Sequence, residues 1–319
     1  MTHIPTHQNI LKAAQRIEGK VLRSPLMYSD SLSGLSEARV FLKLDSLQPG
    51  GSFKIRGATN AVALLGEDER RRGVVAASSG NYGTALALAA QREGIKATIV
   101  LPKNAPSVKV ERIRKAGATI RRHGDHYGDS EQEAVRLAEQ GLVLIHPFDD
   151  PRVVAGQGTI ALEIDQDAPA DLDTTLVPVG GGGLIAGVAL GLKPTRPNVE
   201  VVGVEPLAAP SLTAALNSGK PVPIESLPTY ADGLSPRSTG EISFEVARER
   251  IDRVLLLTED ELMEGCRYCF KELHLVVEPS GAAAVSALIA GKLESKDHSI
   301  AIVLSGSNLD PKYFPQVMN

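Results

Sequence analysis

Four consecutive glycines, Gly180 to Gly183, separate the apolar segment TTLVPV from a second one, LIAGVALGL. Glycine loses more backbone freedom on folding than any other residue, so a run of four implies that something needs bare backbone there. A strand that ends in uncovered peptide groups and leads into a helix offers N–H donors at a helix N-terminus. That arrangement holds phosphate or another anion. The common nucleotide patterns do not fit. A P-loop needs Lys and then Ser or Thr after its last glycine, whereas Leu184 and Ile185 follow here. The dinucleotide fingerprint G-x-G-x-x-G, counted from Gly180, puts Ile185 at the last glycine position, and counting from Gly182 fails as well. No lysine lies in the run to reach a terminal phosphate. A small, singly phosphorylated cofactor fits better than a nucleoside triphosphate.

Three further groups could do chemistry. Lys54 lies in QPGGSFKIRGATNAV, where Gly50, Gly51 and Ser52 are turn and cap residues, so it falls in the first turn of a helix. The helix dipole disfavours a cation at that end. Between Phe53 and Ile55, a lysine there can have a lowered pKa and act as an amine nucleophile, the residue type that forms a Schiff base with a carbonyl cofactor. Ser78, Ser79, Gly80 and Asn81 form a second strand-to-helix turn, whose hydroxyls, amide and N–H groups can take a carboxylate. Ser305 to Asn308 follow the last apolar strand, and ligands of parallel sheets bind beyond the carboxyl ends of strands. The pair Cys266 and Cys269 has neither a second pair for zinc nor a thioredoxin-like flank, and reads as reduced and structural.

The elements that must position these residues alternate. RGVVAASS, KATIVLP, ATIRRH and LVLIHP read as short strands. NYGTALALAAQREG, SVKVERIRKAG and EQEAVRLAEQG read as the helices between them, the last with a capping box of Ser130 and Glu133. A second set follows Pro151: helix RVVAGQGTIALEI, strand TTLVPV, the glycine turn, strand VEVVGVEP, helix GAAAVSALIAG and strand SIAIVLSGS. Such βα alternation predicts an α/β fold of parallel-rich sheets flanked by helices. Two sheets are expected. Gly73 to Pro147 forms a self-contained unit, and the N-terminal strand ARVFLKLD joins the second set.

The chain has 319 residues, a net charge of -4, 43% hydrophobic and 23% charged residues. This mild acidity gives no electrostatic case for nucleic acid or anionic membrane. No apolar run reaches bilayer length and the N-terminus carries no secretory pattern, so a cytoplasmic protein is expected.

Taken in order, SFKIRGA, SSGN, AGQGTIALE, PVGGGGL, GVEP, ADG, VVEPSGAAA and LSGSN form the series of one family. The chain resembles the fold type II pyridoxal-phosphate enzymes, which have the tryptophan synthase β-like fold, and specifically their threonine/serine dehydratase and serine racemase branch. The resemblance implies a large cofactor-binding domain of residues 1–72 plus 148–319 and a small substrate-gating domain of residues 73–147. It implies that Lys54 is the Schiff-base lysine and the base that removes the substrate α-proton, with Phe53 bordering the cofactor ring. Asn81 would bond the ring hydroxyl. Gly180, Gly181, Gly182 and Gly183, with the N–H of Leu184, would cradle the 5′-phosphate. Ser305 would face the ring nitrogen, and Gly233 would lie close to the cofactor. Ser78, Ser79, Gly80, Asn81 and Tyr82 would receive the substrate carboxylate, with Tyr82 standing where histidine is common.

The implied activity is dehydration of L-threonine and/or L-serine to a 2-oxo acid and ammonia. Ser79 matches the serine that reprotonates the opposite face in the racemases, which keeps serine racemase as an alternative. A dehydratase of 3-hydroxyaspartate or 3-phenylserine is another, and a non-catalytic cofactor-binding protein, against which Lys54 argues, is a third. The branch's metal site pairs a glutamate, a backbone carbonyl and an aspartate. Glu205 and Ala209 match the first two, but Ser211 stands at the aspartate position, so Mg2+ or another divalent cation would lack a carboxylate. No effector domain is expected after Asn319, and hence no isoleucine feedback. The resemblance further implies a homo-oligomer, dimer or tetramer.

Overall fold

Runs such as TTLVP and SIAIV are buried at every residue, the pattern of parallel strands covered on both faces. A computed structural model describes residues 3–225 and 227–318 of the chain. Its strands are β1 (Leu26–Tyr28), β2 (Arg39–Lys43), β3 (Val74–Ala77), β4 (Ala97–Leu101), β5 (Thr119–Arg122), β6 (Val143–Leu144), β7 (Thr174–Pro178), β8 (Glu200–Pro206), β9 (Arg253–Leu257) and β10 (Ser299–Val303). They make a six-stranded sheet of order β1-β2-β10-β7-β8-β9 and a four-stranded sheet of order β5-β4-β3-β6. Every pairing is parallel except the antiparallel edge β1–β2. The N-terminal strand β2 runs beside the C-terminal β10, with Arg39 opposite Ser299 and Lys43 opposite Val303.

Helices cover both sheets. Glu259–Lys271 and Pro279–Ile289 share one core with the large sheet, while Thr159–Asp167 and Gly183–Leu192 share another on its opposite side. Cys266 and Cys269 are buried, free thiols of the first of these cores, and burial pushes Cys269 up to about 12. Helix Lys54–Ala63 straddles the two layers. Phe53, just before it, belongs to the large sheet's core, whereas Ile55, Ala58, Ala61 and Val62 pack with the small sheet.

Local expectations fail in instructive places. The stretch expected as one helix, RVVAGQGTIALEI, is two, Pro151–Gln157 and Thr159–Asp167, broken at Gly158. A Cβ there would meet Ile10 at 2.6 Å and the Gly187 carbonyl at 2.9 Å, so close helix packing decides the break. The capping box of Ser130 and Glu133 is absent. That helix is Tyr127–Glu139, and Asp129 accepts from the N–H groups of Asp125 and His126. Ser130 instead donates to the His123 carbonyl, and Glu133 pairs with Arg136. Strand β9 was not expected, because RVLLL is short and only half-buried.

Behind Lys54 lies a wholly buried arginine. Arg56 holds Asp45 through two bonds of 2.8 Å and Glu163 through bonds of 2.6 and 2.8 Å. Lys43, equally buried, also pairs with Glu163. Burial would raise the Asp45 carboxyl, but Arg56, Ser24 and Lys43 together hold it below the usual carboxylate range. Removing one member of a buried network strands the others. Arg56→Met should cost about 3–5 kcal/mol in urea denaturation. A loss under about 1 kcal/mol, the range of exposed pairs, would show that the network contributes little.

Candidate active site

The turn before Lys54 is laced to the turn after β10. The Phe53 N–H donates to the Ser305 carbonyl at 3.0 Å, and the Ser307 N–H donates to the Gly51 carbonyl at 2.8 Å. Ser52 bridges Gly306 in the same contact. Lys54 then opens its helix with no side chain capping it. Its Nζ lies 4.2 Å from the centre of the Phe53 ring. Burial pushes the amine down to about 8, against the field of Glu278, which favours the charged form.

Ser305, itself buried, stands just beyond β10, and its hydroxyl donates to the Ser280 carbonyl at 3.4 Å. Ser280 accepts the Gly233 N–H at 3.0 Å. Gly233 in turn abuts Gly180, whose Cβ would stand 3.0 Å from the Gly233 carbonyl oxygen.

The glycine run is crowded on every side that a side chain would use. A Cβ on Gly181 would lie 2.3 Å from the Phe148 ring, and Gly182 adopts φ 86°. Its carbonyls are taken: Gly180 accepts from the Ser211 hydroxyl and Gly181 from the Gly240 N–H. Its donors are not. Among the described residues, the N–H groups of Gly181, Gly182, Gly183 and Leu184 find no acceptor. Ser243, three residues into helix Glu241–Arg250, buries its hydroxyl beside Gly182 without a partner among the described residues. Sequence reasoning missed this serine, and nothing local marks it. The set is a buried ring of donors at a helix N-terminus, which fits a phosphate group.

Asn81 faces the same space from the small sheet. Its side-chain N–H donates to Glu278 at 2.5 Å, its oxygen accepts from Asn308 at 2.8 Å, and its second N–H proton remains for another acceptor. Glu278 is the other residue that sequence reasoning missed. Burial pushes its carboxyl up to about 7. A Cβ on Gly306 would stand 2.0 Å from its Oε1. An acid inside the apolar LVVEPSGAAA is the signal that could have exposed it.

The expected substrate turn divides. Ser79, Gly80 and Asn81 are half-buried, and Ser79 has no side-chain partner among the described residues. The Ser78 hydroxyl is used locally, accepting the Gly80 and Gly83 N–H groups at 3.3 and 3.0 Å. Tyr82 departs from expectation. Its side chain is 2% exposed in the small sheet's core and its hydroxyl donates to the Ile145 carbonyl, so only its backbone belongs to the turn. Apolar packing of helix Asn81–Arg92 outweighs the polar tip.

The residues expected to hold a metal have protein partners here. Glu205 caps helix Ser211–Ser218, accepting from Leu212 N–H at 2.7 Å and from Thr213 N–H and hydroxyl at 3.0 and 2.8 Å. The Ala209 carbonyl takes the Ser211 N–H at 3.0 Å. Among the described residues no three His, Cys, Asp or Glu side chains converge. Both oxygens of Glu205 are thus spent on a helix end.

The family described as "Pyridoxal-phosphate dependent enzyme" matches residues 17–306. The chain belongs to this family. Within it, the chain stands with the fold type II enzymes of the threonine dehydratase and serine racemase branch. It is 41% identical to an L-threonine ammonia-lyase of Thermotoga maritima, over 98% of this chain and 78% of that one. It is 37% identical to an L-threo-3-hydroxyaspartate ammonia-lyase of Saccharomyces cerevisiae, over 99% and 97%. The solved maize serine racemase superposes with a TM-score of 0.94 at 35% identity, over 99% of this chain and 97% of that one. The donor set fits pyridoxal 5′-phosphate: orphaned N–H groups for a phosphate, a lysine amine lowered to about 8 for a carbonyl, a buried hydroxyl for a ring nitrogen.

Three outcomes follow from this geometry. Gly181→Ala must push Phe148 or the loop aside. Losing one charge-assisted hydrogen bond costs about 1.5–3 kcal/mol, so cofactor affinity should fall about tenfold or more, read as pyridoxal phosphate retained on dialysis. Only the neutral amine is nucleophilic, so borohydride trapping of pyridoxal phosphate on Lys54, read by peptide mass, should rise with pH through a midpoint about 8. Glu278→Gln removes the field that keeps the amine charged and should lower that midpoint. A midpoint at the ordinary lysine value would contradict the burial argument.

Proposed function

We propose that the protein is a pyridoxal-phosphate-dependent dehydratase that converts L-threonine and/or L-serine to a 2-oxo acid and ammonia by α,β-elimination. The observation that carries this reading is the Lys54 amine, brought to about 8 by burial and laced to Ser305 through the Phe53 N–H. Bound here, pyridoxal 5′-phosphate supplies the electron sink that acidifies the substrate's α-carbon. Lys54 anchors the carbonyl and then takes the α-proton, as an amine titrating near working pH does well. Ser305 would offer a neutral hydroxyl to the ring nitrogen, which cannot keep that nitrogen protonated as a carboxylate would, so the ring would be a weaker electron sink. That favours prompt loss of the β-hydroxyl. The N–H groups of Gly181 to Leu184 would hold the phosphate, and Asn81 with the Ser78–Gly80 turn would hold the ring hydroxyl and the substrate carboxylate. Water lost across the α–β bond is regained when the released enamine hydrolyses to the 2-oxo acid and ammonia. Residues 73–147, which carry the small sheet, gate the substrate in this reading.

A second reading, serine racemase, draws support from Ser79, whose half-buried hydroxyl has no partner on the substrate turn. The test is release of 2-oxo acid from L-threonine, L-serine and L-threo-3-hydroxyaspartate, with and without magnesium, together with chiral analysis of serine. L-Threonine or L-serine should give the fastest release, and Lys54→Ala should lower it about a thousandfold or more. D-Serine forming faster than pyruvate would establish the racemase reading instead. Fastest release from 3-hydroxyaspartate would replace the substrate.

A further inference from the structure

A pair of charges far apart in sequence joins the two walls of the site. Lys109 lies on helix Ser107–Lys115 of the small unit, and its Nζ pairs with the carboxylate of Asp232, which opens the turn Asp232–Leu234 of the large one. Each partner is packed onto a wall of the site. On the small side, Ile113 of the Lys109 helix lies against Gly83, where a Cβ would stand 3.0 Å from its Cδ1. Gly83 is in the first turn of helix Asn81–Arg92, so the Lys109 helix packs against the start of the helix that the Ser78–Asn81 turn leads into. On the large side, Gly233 follows Asp232, donates to Ser280 and abuts Gly180 at the head of the glycine run. Glu278 lies within the field of both charges: Asp232 raises its carboxyl, while Lys109 and Arg112 of the same helix lower it. The Lys109 side chain is 20% exposed and that of Asp232 55%, so water competes for the pair and it can open.

We propose that Lys109 and Asp232 are positioning residues that hold the Ser78–Asn81 turn against the cofactor wall, setting how tightly substrate is enclosed without touching it. A part-exposed pair shifts a two-state balance by a factor of about five at most, the equivalent of about 1 kcal/mol. A tighter latch would oppose product release, since opening limits turnover in many gated enzymes.

The experiment has two arms. In the protein without substrate, amide hydrogen exchange of residues 107–115 and 231–234 should quicken about fivefold in Lys109→Ala and in Asp232→Ala, and return towards the wild-type rate in the charge swap K109D/D232K. This arm does not depend on which reaction is catalysed. In the holoenzyme, which rests on the dehydratase reading, each single variant should raise KM about threefold to fivefold with kcat within about twofold, and the swap should recover at least half of that loss. Raising salt from about 0.05 to about 0.5 M should raise the wild-type KM and leave that of Lys109→Ala unmoved. A swap no better than the single variants, or single variants that move neither exchange nor KM, would overturn the proposal. No 2-oxo acid from any variant, with exchange behaving as stated, would sink the dehydratase reading and leave the latch standing.

Discussion

The backbone lacing between the Gly50–Phe53 turn and the Ser305–Ser307 turn is the contact on which the rest depends. The Phe53 N–H on the Ser305 carbonyl fixes where the helix of Lys54 begins relative to the carboxyl end of β10. That lacing is available because β2 runs parallel beside β10, which brings the chain's early and late segments together at the carboxyl ends of neighbouring strands. Ser46 extends it, donating its N–H to the Leu304 carbonyl at 2.8 Å. Every other feature of the site is measured from this seam. Ser305 reaches Ser280, Ser280 reaches Gly233, and Gly233 meets the glycine run.

Electrostatics follow from the same burial. Lys54 and Glu278 are both crowded by protein, and each moves from its ordinary value, the amine down to about 8 and the carboxyl up to about 7. Two groups that titrate near working pH in one cleft are what proton-transfer chemistry requires. Two residues further on, the opposite outcome holds. Arg56 and Asp45 are wholly buried but paired with each other, so both are held in their charged forms. One helix therefore carries an easily deprotonated amine at its first residue and a locked cation at its third.

Much of this was readable without coordinates. The glycine run, the lysine behind a Gly-Gly-Ser turn and the serine after an apolar strand are local patterns, and each reports a backbone need that its neighbours reveal. The βα alternation was equally open, because hydrophobic period and turn residues are local too. The branch of the family followed from the order of the motifs. Where local reading failed, a distant contact had decided. Gly158 breaks its helix to fit against Gly187, Tyr82 turns into a core formed with Ile145, and Glu205 serves a helix end that its motif gives no hint of.

The sequence by itself determined most of the strands and helices and marked out the glycine run and Lys54, since all of these arise from residues within a few positions of one another. Only the tertiary structure decided that Asn81 meets Glu278, 197 positions away, and that Lys109 meets Asp232, 123 positions away. Such pairings depend on the order of strands in two sheets and on how those sheets stand together. No periodicity records that order. It is settled by burial summed over the whole chain, which is why the groups that tune Lys54 and span its cleft appear only once the chain is folded.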